Sequence, residues 1–154
     1  MLEFQLKNDV FLFNFDQPLA NQELFFNPTF WQQHNRIIGS AKGRGTTWFL
    51  QTADLFGVNT ALRHYYRGGL WGKINKDRYR FNDLNHTRSM AEFNLLNQLH
   101  QSGLPVPKPI GARVRKGNLG ICYQADLLSE KVENAQDLTA LLQHHALEPK
   151  QWQQ

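Results

Sequence analysis

The chain has 154 residues, the size of a single domain, and its 41% apolar and 12% aromatic content is enough for a real core. Its 17 Lys and Arg against 13 Asp and Glu give a formal net charge of +4 and a pI of about 9.4. A lone cysteine, Cys122, excludes a disulfide framework within the chain and suggests no metal cluster; no run of 18 apolar residues could span a membrane. The first 18 residues carry early acids and no clean apolar stretch, so no signal peptide is expected. A cytoplasmic or membrane-peripheral protein fits these bounds.

Taken in order, residues 1–26 alternate apolar and polar positions (Val10, Leu12, Phe13, Phe15), which predicts one or two strands. Asn27 and Pro28 are a helix start, Asn as cap and Pro in the first turn, and the helix they open is short, Thr29 to His34. Ile37-Ile38 begins a strand, and Gly39, Gly43 and Gly45 punctuate the chain from there to the next strand. Thr47 to Leu50 reads as the return strand of a hairpin, and Asn59 to Tyr66 as a third strand closed by Gly68-Gly69. Residues 73–86 are polar and basic and are predicted to be loop or irregular helix. Ser89-Met90-Ala91-Glu92 matches a capping box, with Ser at the cap and Glu three residues on. Phe93, Leu96 and Leu99 then line one helical face, Gly103 stops the helix, and Pro105, Pro107 and Pro109 force an extended segment. Strands are predicted at 110–115 and 119–127, a helix from about Ala135 to His145, and another helical segment from Pro149.

The positive excess is local. Residues 61–94 hold seven Lys and Arg (Arg63, Arg67, Lys73, Lys76, Arg78, Arg80, Arg88) against Asp77, Asp83 and Glu92. Such a region fits a polyanionic partner, and it also fits a plain solvated basic face. Its interleaved aromatics, Tyr65, Tyr66, Trp71 and Tyr79, suit either a membrane interface or single-stranded nucleic acid.

Three features carry chemistry in combination. Gly43-Arg44-Gly45-Thr46-Thr47 keeps the first two glycines of G-x-G-x-x-G, so backbone N–H groups could face phosphate; taken alone, the string reads better as an ordinary hairpin turn. Arg63 is a cation on the third strand, and Glu92 lies one turn into the next long helix. In kinase-like folds a strand cation pairs with a helix glutamate, which aims the cation at nucleotide phosphates. Singly, Arg63 could be a surface residue and Glu92 only a capping partner. Asp54-Leu55-Phe56-Gly57 superficially resembles a magnesium-binding motif, but it precedes the glutamate helix and reads as a turn. No P-loop string occurs.

The strings GRGTTWF (43–49), LRHYYRGGLWGK (62–73), TRSMAEFNLLNQLHQSGLPVPKP (87–109) and CYQADLL (122–128) resemble the lipopolysaccharide-core sugar kinases of Gram-negative bacteria, the Kdo kinases in particular, over roughly residues 25–154. The resemblance implies an α+β, protein-kinase-like N-terminal lobe: a five-stranded antiparallel sheet with one major helix over residues 1–128. Residues 129–154 would be a hinge and the first helices of a C-terminal lobe. It implies ATP with magnesium, a Kdo-lipid A acceptor, an anionic membrane surface as partner and no nucleic acid. The expected place is the cytoplasmic face of the inner membrane.

By the same resemblance, Gly43, Arg44, Gly45, Thr46 and Thr47 would cover the phosphates. Arg63 would stand where such kinases usually have lysine, with Glu92 as its partner, and Asp126, Leu127 and Leu128 would form the hinge beside adenine. Lys73, Lys76, Arg78 and Arg80 would meet the acceptor or membrane. No His-x-Asp-x-x-x-x-Asn string occurs in these residues, so the catalytic aspartate and the metal ligands are expected beyond them, and the chain alone is expected to be inactive. A basic nucleic-acid-binding module or a pseudokinase-like interaction domain is the alternative.

Overall fold

The computed structural model describes residues 1–43, 45–66 and 77–132. Strands β1 (Leu2–Leu6) and β2 (Asp9–Phe13) form an antiparallel hairpin. Along β2 the two-residue period sends Val10 and Leu12 to one side of the sheet and Phe11 and Phe13 to the other, and all four are buried. This strand therefore has a core on both faces. A 3-10 turn at Gln22–Leu24 and helix α1 (Pro28–Gln33) follow. The Asn27 side chain accepts from the Thr29 N–H at 3.0 Å, the cap expected from the Asn-Pro start.

Next come β3 (Ile37–Lys42), β4 (Thr46–Leu50), the one-turn helix α2 (Ala53–Phe56) and β5 (Thr60–His64). A two-residue strand β6 (Tyr79–Arg80) lies where the sequence predicts only irregular structure. Helix α3 (Arg88–Gln101), β7 (Pro109–Lys116) and β8 (Cys122–Glu130) complete the fold. Gly103, at φ 77°, closes α3 in the left-handed region that glycine enters freely. The helices predicted at 135–145 and from 149 lie outside the described residues.

All eight strands join one antiparallel sheet in the order β1-β2-β7-β8-β5-β4-β3, with β6 paired to β8. The five-stranded sheet is thus a correction. The terminal hairpin adds two strands by pairing β2 with β7, Asp9 opposite Arg115, and β6 adds a third.

Two apolar layers sandwich the sheet. On one face α3 covers β7 and β8, with Met90 and Phe93 against Ala112, Val114, Ala125 and Leu127. On the other, Phe25, Phe26 and Trp31 cover Phe11, Phe13, Leu62 and Leu128. The Trp31 indole N–H donates to the Phe25 carbonyl at 2.7 Å, so its polar edge is satisfied inside an aromatic layer. Phe93 is fully buried, and truncating a phenylalanine so placed costs about 3–5 kcal/mol.

Candidate functional site

Side-chain alternation along β5 decides which residues can meet α3. Leu62 and His64 face the aromatic layer, while Ala61 and Arg63 face the helix side. Arg63 reaches Glu92, its Nη2 donating to Glu92 Oε1. Tyr65, two residues on, closes the group: its hydroxyl accepts from Arg63 Nη2 at 3.0 Å and donates to Glu92 Oε2. The Arg63 guanidinium also lies 4.8 Å from the Tyr65 ring centroid. Burial pushes the Tyr65 phenol above its ordinary pKa, and the bond to Glu92 adds to the shift, so it stays a neutral donor. Burial alone would lower the Arg63 pKa; Tyr65 and Glu92 more than offset that, and the shift is upward. Arg63 Nε is buried and makes no hydrogen bond.

Glu92 is free to do this because the capping box does not form. The helix starts two residues earlier than that motif requires, with Thr87 in the cap position and its hydroxyl donating to the Leu84 carbonyl at 2.6 Å. Ser89 lies inside the first turn, buried, and its hydroxyl donates to the Arg113 carbonyl of β7 at 2.9 Å. Nearby, the Arg88 N–H donates to the Tyr123 hydroxyl at 3.1 Å. Two bonds to the sheet thus fix the start of α3, and Glu92 follows one turn on.

Thr47 pairs with Arg63 in the β4–β5 ladder, so the turn after β3 and the Arg63–Tyr65–Glu92 group share one end of the sheet. Thr46 and Thr47 are half-buried at the start of β4. Gly43 is exposed, with its N–H bonded to the Gly45 carbonyl at 2.9 Å, so that donor serves the turn itself. A Cβ on Gly45 would stand 2.0 Å from the Tyr66 ring, so a side chain there is excluded by packing. The hairpin reading therefore accounts for both glycines. Arg44 lies outside the described residues.

The hinge at Asp126, Leu127 and Leu128 is a second correction. All three sit inside β8, paired on one side with His64, Arg63 and Leu62 and on the other with Arg113, Ala112 and Gly111. Their backbone groups are spent on two ladders and cannot meet a base. Because β8 runs to Glu130, a linker would begin after that residue, and a boundary at 128 would cut the strand.

The Asp126 side chain belongs to an ionic network that the sequence did not announce. Asp126 Oδ2 accepts from Arg113 Nε and Nη2 at 2.9 and 2.8 Å, and Oδ1 meets His64 Nδ1 at 2.8 Å. His64 Nε2 meets Asp77 Oδ2 at 3.2 Å, and Asp77 also accepts from Gln124. Burial alone would lower the His64 pKa; the bonds and charges of Asp126 and then Asp77 outweigh it and raise it. This network lies across the sheet from Glu92. The polar and charged residues alternating with apolar ones at 113–115 and 124–127 were the available signal.

Of the four basic residues expected at an acceptor or membrane surface, Lys73 and Lys76 lie outside the described residues. Arg78 and Arg80 are exposed at β6. Asp54 of the false magnesium motif opens α2 and binds Arg36 with both carboxylate oxygens, at 2.6 and 2.7 Å. Among the described residues no group of three or more His, Cys, Asp or Glu could hold a metal ion.

A family model described as "Lipopolysaccharide kinase (Kdo/WaaP) family" matches residues 28–154. Over all 154 residues the chain is 70% identical to a 3-deoxy-D-manno-octulosonic acid kinase of Mannheimia succiniciproducens and 66% identical to one of Haemophilus influenzae strain PittGG. It is 53% identical over 129 residues, 83% of its length, to the kinase of the same name from Vibrio vulnificus, covering 52% of that protein. The chain spans 64% of the length of the Mannheimia and Haemophilus relatives. No solved structure gives a significant match. With residues 28–154 inside the family model, the chain belongs to the lipopolysaccharide kinase (Kdo/WaaP) family.

Proposed function

We propose that these residues form the nucleotide-binding lobe of a protein-kinase-like phosphotransferase, one that moves the γ-phosphoryl group of ATP to a Kdo hydroxyl on a lipid A precursor. The observation that carries this reading is the Arg63–Tyr65–Glu92 group, on the β4–β5 rung of Thr47. Phosphoryl transfer needs little covalent chemistry from the protein; it needs phosphates held in line and their charge offset. Glu92 and Tyr65 hold the guanidinium from one side, which leaves its other donors for phosphate oxygens in a planar fork. The half of this face carrying Gly39, Phe49 and Ala61 lies beyond α3, which packs on β7 and β8, and gives a base a shelf.

Magnesium would offset charge between the phosphates, and the described residues offer no ligand set for it. The aspartate that orients the acceptor hydroxyl falls, on this reading, outside the 154 residues, so they alone bind nucleotide without turning it over. The acceptor is an anionic membrane glycolipid, so the protein works at the cytoplasmic face of the inner membrane; no helix among the described residues is long and apolar enough to cross one.

Titrating the chain with a fluorescent ATP analogue tests the lobe. Saturable binding that competes with ATP and is lost in Arg63→Met supports it; binding indifferent to Arg63 overturns it. Phosphate transfer from labelled ATP to Kdo-lipid A by the longer protein, absent with residues 1–154, tests the reaction.

A further inference from the structure

Two hairpin turns lie side by side at the end of the sheet where β6 joins β8. The β1–β2 turn carries Lys7, and the β7–β8 turn carries Leu119 and Ile121. They are tied together by the Lys116 N–H donating to the Asn8 carbonyl at 2.8 Å. Leu119 is 84% exposed and Ile121 64%, with Leu6 beside them at 49%. An open groove of about 740 Å³ runs between the turns. Water-facing aliphatic side chains at adjoining tips have no role in either apolar layer of the fold.

Their surroundings are cationic. Lys7, Arg78 and Arg80 are exposed, Arg80 opposite Cys122 in the β6–β8 ladder. Lys116 Nζ lies 4.9 Å from the Phe81 ring centroid. The neighbouring carboxylates are already matched: Asp9 binds Arg115 with both oxygens at 2.7 and 2.8 Å, and Asp77 is held by His64 and Gln124. The end of the sheet therefore presents apolar tips within a positive rim.

We propose that this end of the sheet docks on an anionic phospholipid surface, with Leu119 and Ile121 entering the headgroup–acyl boundary and Lys7, Lys116, Arg78 and Arg80 facing lipid phosphates. Apolar insertion combined with cation attraction is the recipe for interfacial binding. Single-stranded nucleic acid would call for aromatic platforms on which bases stack, and the tips are aliphatic. The inference is in keeping with a glycolipid acceptor but needs none: it concerns the bilayer itself, so vesicles without acceptor are the right probe.

The experiment is co-sedimentation of the chain with phosphatidylethanolamine–phosphatidylglycerol vesicles, against phosphatidylcholine vesicles. Wild type should partition to the anionic vesicles, less as salt rises. Leu119→Ser/Ile121→Ser should weaken partitioning at least about tenfold, and Lys7→Gln/Lys116→Gln about thirtyfold with a flatter salt dependence. Circular dichroism melts should match wild type, since all but Lys116 of these side chains are exposed. Unchanged partitioning in the Ser variant overturns the proposal. So does a defect that appears instead in oligothymidylate binding, or as loss of a dimer in sedimentation velocity. Failure here leaves the nucleotide-binding reading standing, because no acceptor or ATP enters the assay.

Discussion

Glu92 accepts from Arg63 across the gap between α3 and β5, 29 positions apart in sequence, with Tyr65 bonded to both. Hydrogen bonds to charged groups are worth about 1.5–3 kcal/mol. Arg63→Met should therefore weaken ATP binding roughly 10- to 100-fold. Both partners are more than a third exposed, so unfolding free energy should shift by less than about 1 kcal/mol. Calorimetric titration and urea melts of the same variant check both halves. A large stability loss with intact ATP affinity would make the group structural.

Ser89→Ala should destabilise the fold by about 1–3 kcal/mol, since it removes the bond from the buried Ser89 hydroxyl to the Arg113 carbonyl. Thr87→Ala should act on the helix start instead, through the lost bond to Leu84. If Ser89 capped α3 as the string suggests, Glu92→Ala would lose the reciprocal bond to the cap N–H and destabilise the helix; here that substitution should leave the melt nearly unchanged and lower nucleotide affinity.

The His64 network sets a pH dependence. His64 has its folded pKa raised, with Asp126, Asp77 and Arg113 around it. A raised histidine pKa adds stability that is complete below the unfolded value, about 6.5, and is lost as pH rises through the folded value. Urea midpoints should fall between mildly acidic and alkaline pH more steeply in wild type than in His64→Gln. Parallel profiles would show that the imidazole carries no such contribution.

Replacing Lys73, Lys76, Arg78 and Arg80 together by Ser should reduce anionic vesicle binding, by about 1 kcal/mol for each cation near the surface. The loss should shrink at high salt. Equal binding at low salt would remove this stretch from the membrane contact.

The order of a glycine turn, a strand cation and a helix acid was legible because each element has a local signature, and Arg63 and Glu92 were found that way. The string Ser89-x-x-Glu92 misled because it records only spacing. Whether the serine turns to its own helix or across to β7 depends on a strand more than twenty residues on. The strand count failed for the same reason: β2 finds β7 through Asp9 and Arg115, 106 positions apart. The hinge at Asp126 came from the family resemblance, while the local pattern there reads as a strand. The buried place of Asp126 is created by Arg113 and His64 on the two flanking strands, and no local window contains all three. Tyr65 was passed over as one aromatic among several; its two-residue offset from Arg63 on a strand was the clue to a shared face.

Fastening α3 to the sheet at Ser89 and Arg88 has a consequence for timing. A helix pinned at its first turn cannot pivot there without breaking both bonds, so Glu92 waits in place before any nucleotide arrives. On the proposed reading, the lobe would meet ATP with its cation already aimed. A swing of this helix would have to break both bonds first.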